Sequence, residues 1–188
     1  MKRFFLLFPI LLISNAIFAQ VSSFTRNKES YTQEIFPYKG VRAIQIDEVS
    51  SPDHEENVFI FSKVEKNANP DIMYFQRFTK IDGKWTLKIL STIEHKGIIS
   101  SWGSRKAFGD FNKDKSVDAF FIYGLYDAGF KQQTVHLIFS QFDKIYTIEA
   151  NISDNFETDI FSDNFDSLDE NIKKEILDYW SKLDKLDK

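Results

Sequence analysis

Residues 108–118 read Phe-Gly-Asp-Phe-Asn-Lys-Asp-Lys-Ser-Val-Asp and set oxygen-bearing side chains at Asp110, Asn112, Asp114 and Asp118. Counted from Asp110 these are positions one, three, five and nine. A hard cation such as Ca²⁺ takes roughly six to eight oxygen ligands. A tight loop that turns alternate side chains inward supplies them, together with a backbone carbonyl at position seven, here Ser116. Lys115 stands at position six, where the turn asks for a positive φ and glycine is usual. A non-glycine residue there costs on the order of 1 kcal/mol, and Lys113 and Lys115 partly offset the three carboxylates. The same residues are equally the turn formers of a hairpin, with Asp and Asn side chains accepting from nearby amides. The sequence leaves both readings open.

Other catalytic chemistry finds little material. Cysteine is absent, which removes disulfides, thiol nucleophiles and Cys-ligated zinc. His54, His95 and His136 form no His-x-x-x-His pair. Seven glycines build neither a Gly-x-Ser-x-Gly elbow nor a phosphate-cradling loop. Carboxylates are plentiful enough to imagine an acid and base, such as Asp47 with Glu48, or Asp118 with a partner across a sheet, but spacing alone assigns none. Trp102 lies in the polar stretch 100–105, and Tyr123 and Tyr126 precede a second loop at 127–129. With Phe130 beyond that loop, these aromatics could stack on sugar rings, but in a chain with 20 phenylalanines the favoured reading is that they fill the core.

The elements that must position these residues follow from hydrophobic periodicity. The chain has 188 residues, 28 acidic and 24 basic side chains, and 43% hydrophobic residues, enough to bury one core. Lys2-Arg3, an apolar run from Phe4 to Ile13 and small Ala19 predict a signal peptide over 1–19, the apolar run being too short to span a bilayer as a helix. Bulky Ile17 near the cleavage point makes uncleaved retention as an N-terminal anchor the competing reading. Removal of the leader leaves 22 basic against 28 acidic groups, a balance that disfavours nucleic acid as a partner. No cysteine follows for lipid attachment, so the expected location is periplasmic, secreted or at the cell surface, with no membrane span after cleavage. Residues 20–40 read as an irregular lead-in, and 41–188 as one domain.

Runs rich in β-branched and aromatic residues predict strands at 41–49, 57–64, 72–81, 84–93, 117–125, 134–141 and 144–150. Asp82-Gly83 predicts a type I′ hairpin turn, and Phe142-Asp143 a second turn. The run 117–123, apolar at nearly every position after Asp118, predicts a strand buried on both faces. Residues 151–166 read as a loop pinned by aromatics. Ser167 and Glu170 form a capping box, and Leu168, Ile172, Ile176, Tyr179, Trp180 and Leu183 recur at helical spacing. The expected fold is α+β: an antiparallel sheet of about six to eight strands with a C-terminal helix packed on it.

The acidic loop, with Phe108-Gly109 just before Asp110, resembles the calcium loops of FG-GAP and related β-propeller repeats. It resembles a helix–loop–helix calcium site less, because position twelve is Phe121 where that site needs a bidentate Glu. Over residues 40–183 the chain also resembles small exported bacterial proteins described as surface polysaccharide biosynthesis proteins. The likeness runs through Glu56-Asn57-Val58-Phe59-Ile60, Gly83-Lys84-Trp85-Thr86-Leu87 and Asp110-Phe111-Asn112-Lys113-Asp114 entering Phe120-Phe121-Ile122-Tyr123. It continues through Leu137-Ile138-Phe139 and Lys144-Ile145-Tyr146 to the helix carrying Trp180. The chain departs from that family at Lys115, where members tend to have Gly, and in lacking the cysteine that often follows the central strand. The resemblance implies a role in lipopolysaccharide or other surface polysaccharide biosynthesis or display, and names no reaction. The leading expectation is therefore an exported, non-enzymatic envelope protein that binds an envelope glycan or protein, with Ca²⁺ at Asp110, Asn112, Asp114, Ser116 and Asp118. The alternatives are a polysaccharide-acting enzyme with an unidentified carboxylate pair, and a purely structural secreted domain.

Overall fold

A computed structural model describes residues 22–25, 31–51 and 55–186. The predicted leader and His54 lie outside the described residues. The first five strands are β1 (Ser22–Thr25), β2 (Arg42–Ser50), β3 (Glu56–Lys63), β4 (Asp71–Ile81) and β5 (Lys84–His95). They pair antiparallel in chain order as one sheet. The second sheet repeats this meander with β6 (Ile98–Gly109), β7 (Asp118–Tyr126), β8 (Gln132–Gln141), β9 (Lys144–Asn151) and β10 (Asp159–Phe161). Helix α1 (Glu170–Lys182) follows. The fold is thus α+β with the helix at the C-terminus, as periodicity predicts, and its strands divide into two sheets of five.

The strand faces explain that division. Phe59, Phe61, Met73 and Phe75 of the first sheet meet Ala119, Phe121, Tyr123 and Ile138 of the second in a shared core. Phe121 lies at its centre, with ring centroids 5.2–5.5 Å from Phe59, Phe61, Phe75 and Phe108. Alternate residues point to opposite faces of a strand, so Phe120 and Ile122 join Leu137, Phe139, Tyr146 and Ile148 beneath Ile172, Ile176 and Trp180 of α1. On the far side of the first sheet, Ile46, Val58, Ile60 and Phe78 are covered by Tyr31 and Phe36. β7 is therefore buried on both faces, between the first sheet and the helix.

Several expectations are corrected. The lead-in contains β1, which pairs with β2. The polar stretch 100–105 lies inside β6, where the register with β7 shifts between Ser101 and Lys106. Part of the loop 151–166 forms β10 at the sheet edge. The helix is capped by Asp169, whose side chain accepts from Asn171 N at 2.8 Å, while Ser167 donates to Asn164 O. The Asp82-Gly83 turn takes positive φ at both residues, as a type I′ turn requires. Beyond it a bulge in the β4–β5 pairing leaves Leu87 43% exposed, although Ile89 two residues on is buried.

The chain passes from one sheet to the other at Lys96-Gly97, where a Cβ on Gly97 would stand 2.1 Å from Tyr126 O. Polar groups then tie β6 to the first sheet. Asp71 Oδ2 accepts from Ile99 N at 2.9 Å, and Lys63, ion-paired to Asp71, donates to Ile99 O at 2.9 Å. Farther along, buried Asp47 bonds Gln45 and pairs with Lys106, and Ser101 donates to Gln45. No helix among the described residues is long and apolar enough to cross a membrane.

Candidate functional site

The acidic loop joins β6 to β7 at one end of the two-sheet core. Phe111 folds back onto Phe120, with ring centroids 5.5 Å apart, and a Cβ on Gly109 would stand 2.5 Å from its ring. This close approach accounts for the glycine before Asp110. Asp110 then organises the turn: its Oδ1 accepts from Asp114 N at 2.9 Å and its Oδ2 from Lys115 N at 3.0 Å. Asn112 Oδ1 accepts from Asp114 N at 3.3 Å, Asn112 Nδ2 donates to Asp114 Oδ2 at 2.6 Å, and Asp114 Oδ1 accepts from Ser116 N at 2.8 Å. Lys115 takes φ 74° and Lys113 φ 63°. Lysine thus adopts the left-handed conformation that glycine favours at position six, at a cost on the order of 1 kcal/mol.

Asp118 opens β7 and is fully buried. Its Oδ2 accepts from Phe111 N at 3.0 Å, while its Oδ1 has no partner. Burial pushes this carboxyl up to about 7, and the charges of Asp114 and Asp110 add to the effect. Arg77 and the Phe111 amide pull the other way. Among the described residues no three carboxylate, imidazole or thiol groups form a cluster able to hold a metal by themselves. The loop therefore brings Asp110, Asn112, Asp114 and Ser116 together with Asp118 behind them, and any cation site depends on amide and backbone oxygens as well.

Two residues of this region carry no local signal in the sequence. Glu55, just before β3, accepts from Ser116 Oγ at 3.1 Å and from Val117 N at 2.9 Å through Oε2. Its Oε1 accepts from Arg77 Nη2 at 3.2 Å. Arg77 is 1% exposed, donates through Nε to Asn57 Oδ1 at 2.9 Å and lies 5.5 Å over the Phe59 ring. Its Nη1 has no partner. These two side chains line a cavity of about 410 Å³ with Thr79, Ile81, Lys88, Phe142 and Asp143. A second hollow, of about 480 Å³, lies between β6 and α1 beside Arg105, Phe120, Tyr179 and Asp178.

Of the aromatics suggested for glycan stacking, Trp102, Tyr123 and Tyr126 belong to the core, whereas Phe130 is exposed. Trp102 is 6% exposed, donates through Nε1 to Tyr126 OH at 3.0 Å and is covered by the Arg105 guanidinium, 4.7 Å over its ring. Tyr126 is 7% exposed, and Tyr123 stacks on His136 at 4.5 Å with 4° between the planes. With their faces taken by protein, these rings have none to offer a sugar. Asp47 and Glu48 are adjacent on β2 and face opposite ways, Asp47 toward Lys106 and Glu48 toward Tyr31, so they form no acid–base pair.

His136 makes the stability of the fold depend on pH. Burial pulls its imidazole down to about 4, and the nearby charge of His95 acts in the same direction. Its Nε2 lies 2.7 Å from Thr134 Oγ1, and its Nδ1 lies 3.7 Å from the half-exposed carboxylate of Glu149. The unfolded chain protonates near the ordinary value of about 6.5, so the contribution is complete above that pH and is lost as pH falls toward 4. The integrated loss approaches about 3 kcal/mol. Asp118, with its raised value, contributes with the opposite sign and is common to wild type and variant. Urea unfolding from about pH 7 to about pH 4 should therefore show a shallower acid loss in His136→Gln than in wild type. Parallel curves would remove His136 as the cause.

The chain matches no family model, no curated protein sequence and no solved structure.

Proposed function

We propose that this is an exported, non-enzymatic envelope protein whose acidic loop takes Ca²⁺ and which serves surface polysaccharide assembly by binding. The supporting observation is Asp118, a buried carboxylate with an unpartnered oxygen, standing behind a loop whose Lys115 already holds the turn's left-handed conformation. An unpaired buried charge is costly, and a divalent cation at the loop would neutralise it. Asp110, Asp114 and Asp118 would supply carboxylate oxygens, Asn112 its amide oxygen and Ser116 its carbonyl, a donor set that suits a hard cation. The polysaccharide role rests on the sequence resemblance, and export on the leader.

A thermal unfolding scan of the purified protein, first in EDTA and then with millimolar Ca²⁺, tests the loop. A ligand at about 100 times its Kd adds about 2.7 kcal/mol, which raises the midpoint of a domain this size by roughly 5–10 °C. The rise should vanish in Asp114→Ala. Lys115→Gly should enlarge it at subsaturating Ca²⁺, because that change removes a positive charge beside the carboxylates, while relief of the backbone strain raises the midpoint with and without the ion alike. Midpoints indifferent to Ca²⁺ in wild type and Lys115→Gly alike would reduce the loop to a turn.

A further inference from the structure

We propose that the cavity beside the acidic loop, lined by Glu55, Arg77, Thr79, Lys88, Phe142 and Asp143, binds a neutral hexose unit of a glycan. Its volume of about 410 Å³ falls in the range of small-molecule pockets, roughly 300–1,000 Å³. The wall carries two cations and two anions, Arg77 and Lys88 against Glu55 and Asp143. With Arg77 already paired to Glu55, that balance gives a phosphate or carboxylate no excess of positive charge to meet. It instead offers donors and acceptors side by side, which is what an array of neutral hydroxyls requires.

Phe142 and Ile81 supply the apolar component, and Phe142 is its only aromatic ring. Phe142 sits at the tip of the β8–β9 turn with its side chain unburied, 52% exposed, and takes φ 49°. A two-residue hairpin turn asks for positive φ at its first residue, as at Asp82, and here that position holds an aromatic ring out in solvent. Phe130, also exposed and at positive φ, does not line this cavity. The C–H face of a pyranose resting on the Phe142 ring places its hydroxyls toward the charged wall, whereas Trp102, Tyr123 and Tyr126 have no free face for the same task.

The inference deepens the polysaccharide-binding reading and rests on it, and it connects the cavity to the loop. Glu55 bonds Arg77 in the cavity wall through one carboxylate oxygen and Ser116 and Val117 through the other. A cation that firms the loop would therefore steady the cavity wall as well.

The test is calorimetric titration of the purified protein, in millimolar Ca²⁺, with maltotetraose, cellotetraose and mannotetraose, alongside glucuronate and inorganic phosphate. At least one tetraose should bind saturably. Phe142→Ala should weaken it by about tenfold and Lys88→Ala by a smaller factor, with unfolding midpoints near wild type because both side chains lie outside the core clusters. Binding of glucuronate or phosphate without any tetraose, no binding at all, or tetraose binding undiminished in Phe142→Ala would each overturn the proposal. Repeating the titration in EDTA separates it from the cation reading. Tetraose binding retained there, with a midpoint indifferent to Ca²⁺, supports the sugar site and removes the cation. A Ca²⁺-dependent midpoint with no tetraose binding removes the sugar site and leaves the cation.

Discussion

Trp180→Ala should destabilise the protein by about 3–5 kcal/mol, the range for truncating a large aromatic in a packed core. The indole is 1% exposed and fills the space between α1 and the second sheet beside Ile172, Ile176 and Leu168. Its Nε1 donates to Asp159 Oδ1 at 2.7 Å, tying the last turns of the helix to edge strand β10. The Lys185 ammonium sits 4.7 Å over the same ring. Helices of this length are marginal alone in water, so α1 depends on this contact for its order. Trp180→Phe keeps most of the apolar bulk, loses the indole bond and should cost only about 1–2 kcal/mol. Urea unfolding followed by far-ultraviolet circular dichroism measures both. A Trp180→Ala protein within about 1 kcal/mol of wild type would show that helix docking contributes little to the fold.

That helix was legible in the sequence because its signal is local: apolar residues recur at helical spacing over 13 residues. The Asp82-Gly83 turn and the doubly buried β7 were legible for the same reason. β6 was not. Its middle, 100–105, is Ser, Gly and Arg around the single aromatic Trp102, without the β-branched residues that mark strands, and it is held by Asp71, Lys63, Asp47 and Gln45 of the other sheet. Those partners lie 28 to 59 residues away along the chain, beyond any local pattern. Edge strands β1 and β10, of four and three residues, are too short to show a period.

The candidate site divides the same way. Asp110, Asn112, Asp114 and Ser116 could be placed in one turn from spacing alone. Glu55 and Arg77 could not, because only the sheet pairing and the packing of the two sheets bring them to Asp118 and Ser116. For Trp102, Tyr123 and Tyr126 the residue types allowed a sugar platform, the abundance of phenylalanine favoured core, and burial decides for core.

Arg77→Leu tests whether this long-range network matters, and its two expected effects have opposite signs. Removing one partner of a buried ion pair costs about 3–5 kcal/mol, because the other charge is left behind. Here the Glu55 side chain is 26% exposed, so solvent screens part of the loss and the lower end, about 3 kcal/mol, is expected in EDTA. Most of that cost should return in Arg77→Leu/Glu55→Gln, which leaves no unpaired carboxylate at that position. Arg77 also attracts Asp118 and, more weakly, Asp114. Its removal makes the loop more negative and should enlarge the rise in midpoint that Ca²⁺ produces at subsaturating concentration. A variant that is less stable without the cation and gains more from it would show the Arg77 charge competing with Ca²⁺ for the same carboxylates. A gain equal to or smaller than that of wild type would confine Arg77 to its bond with Glu55 and to the core.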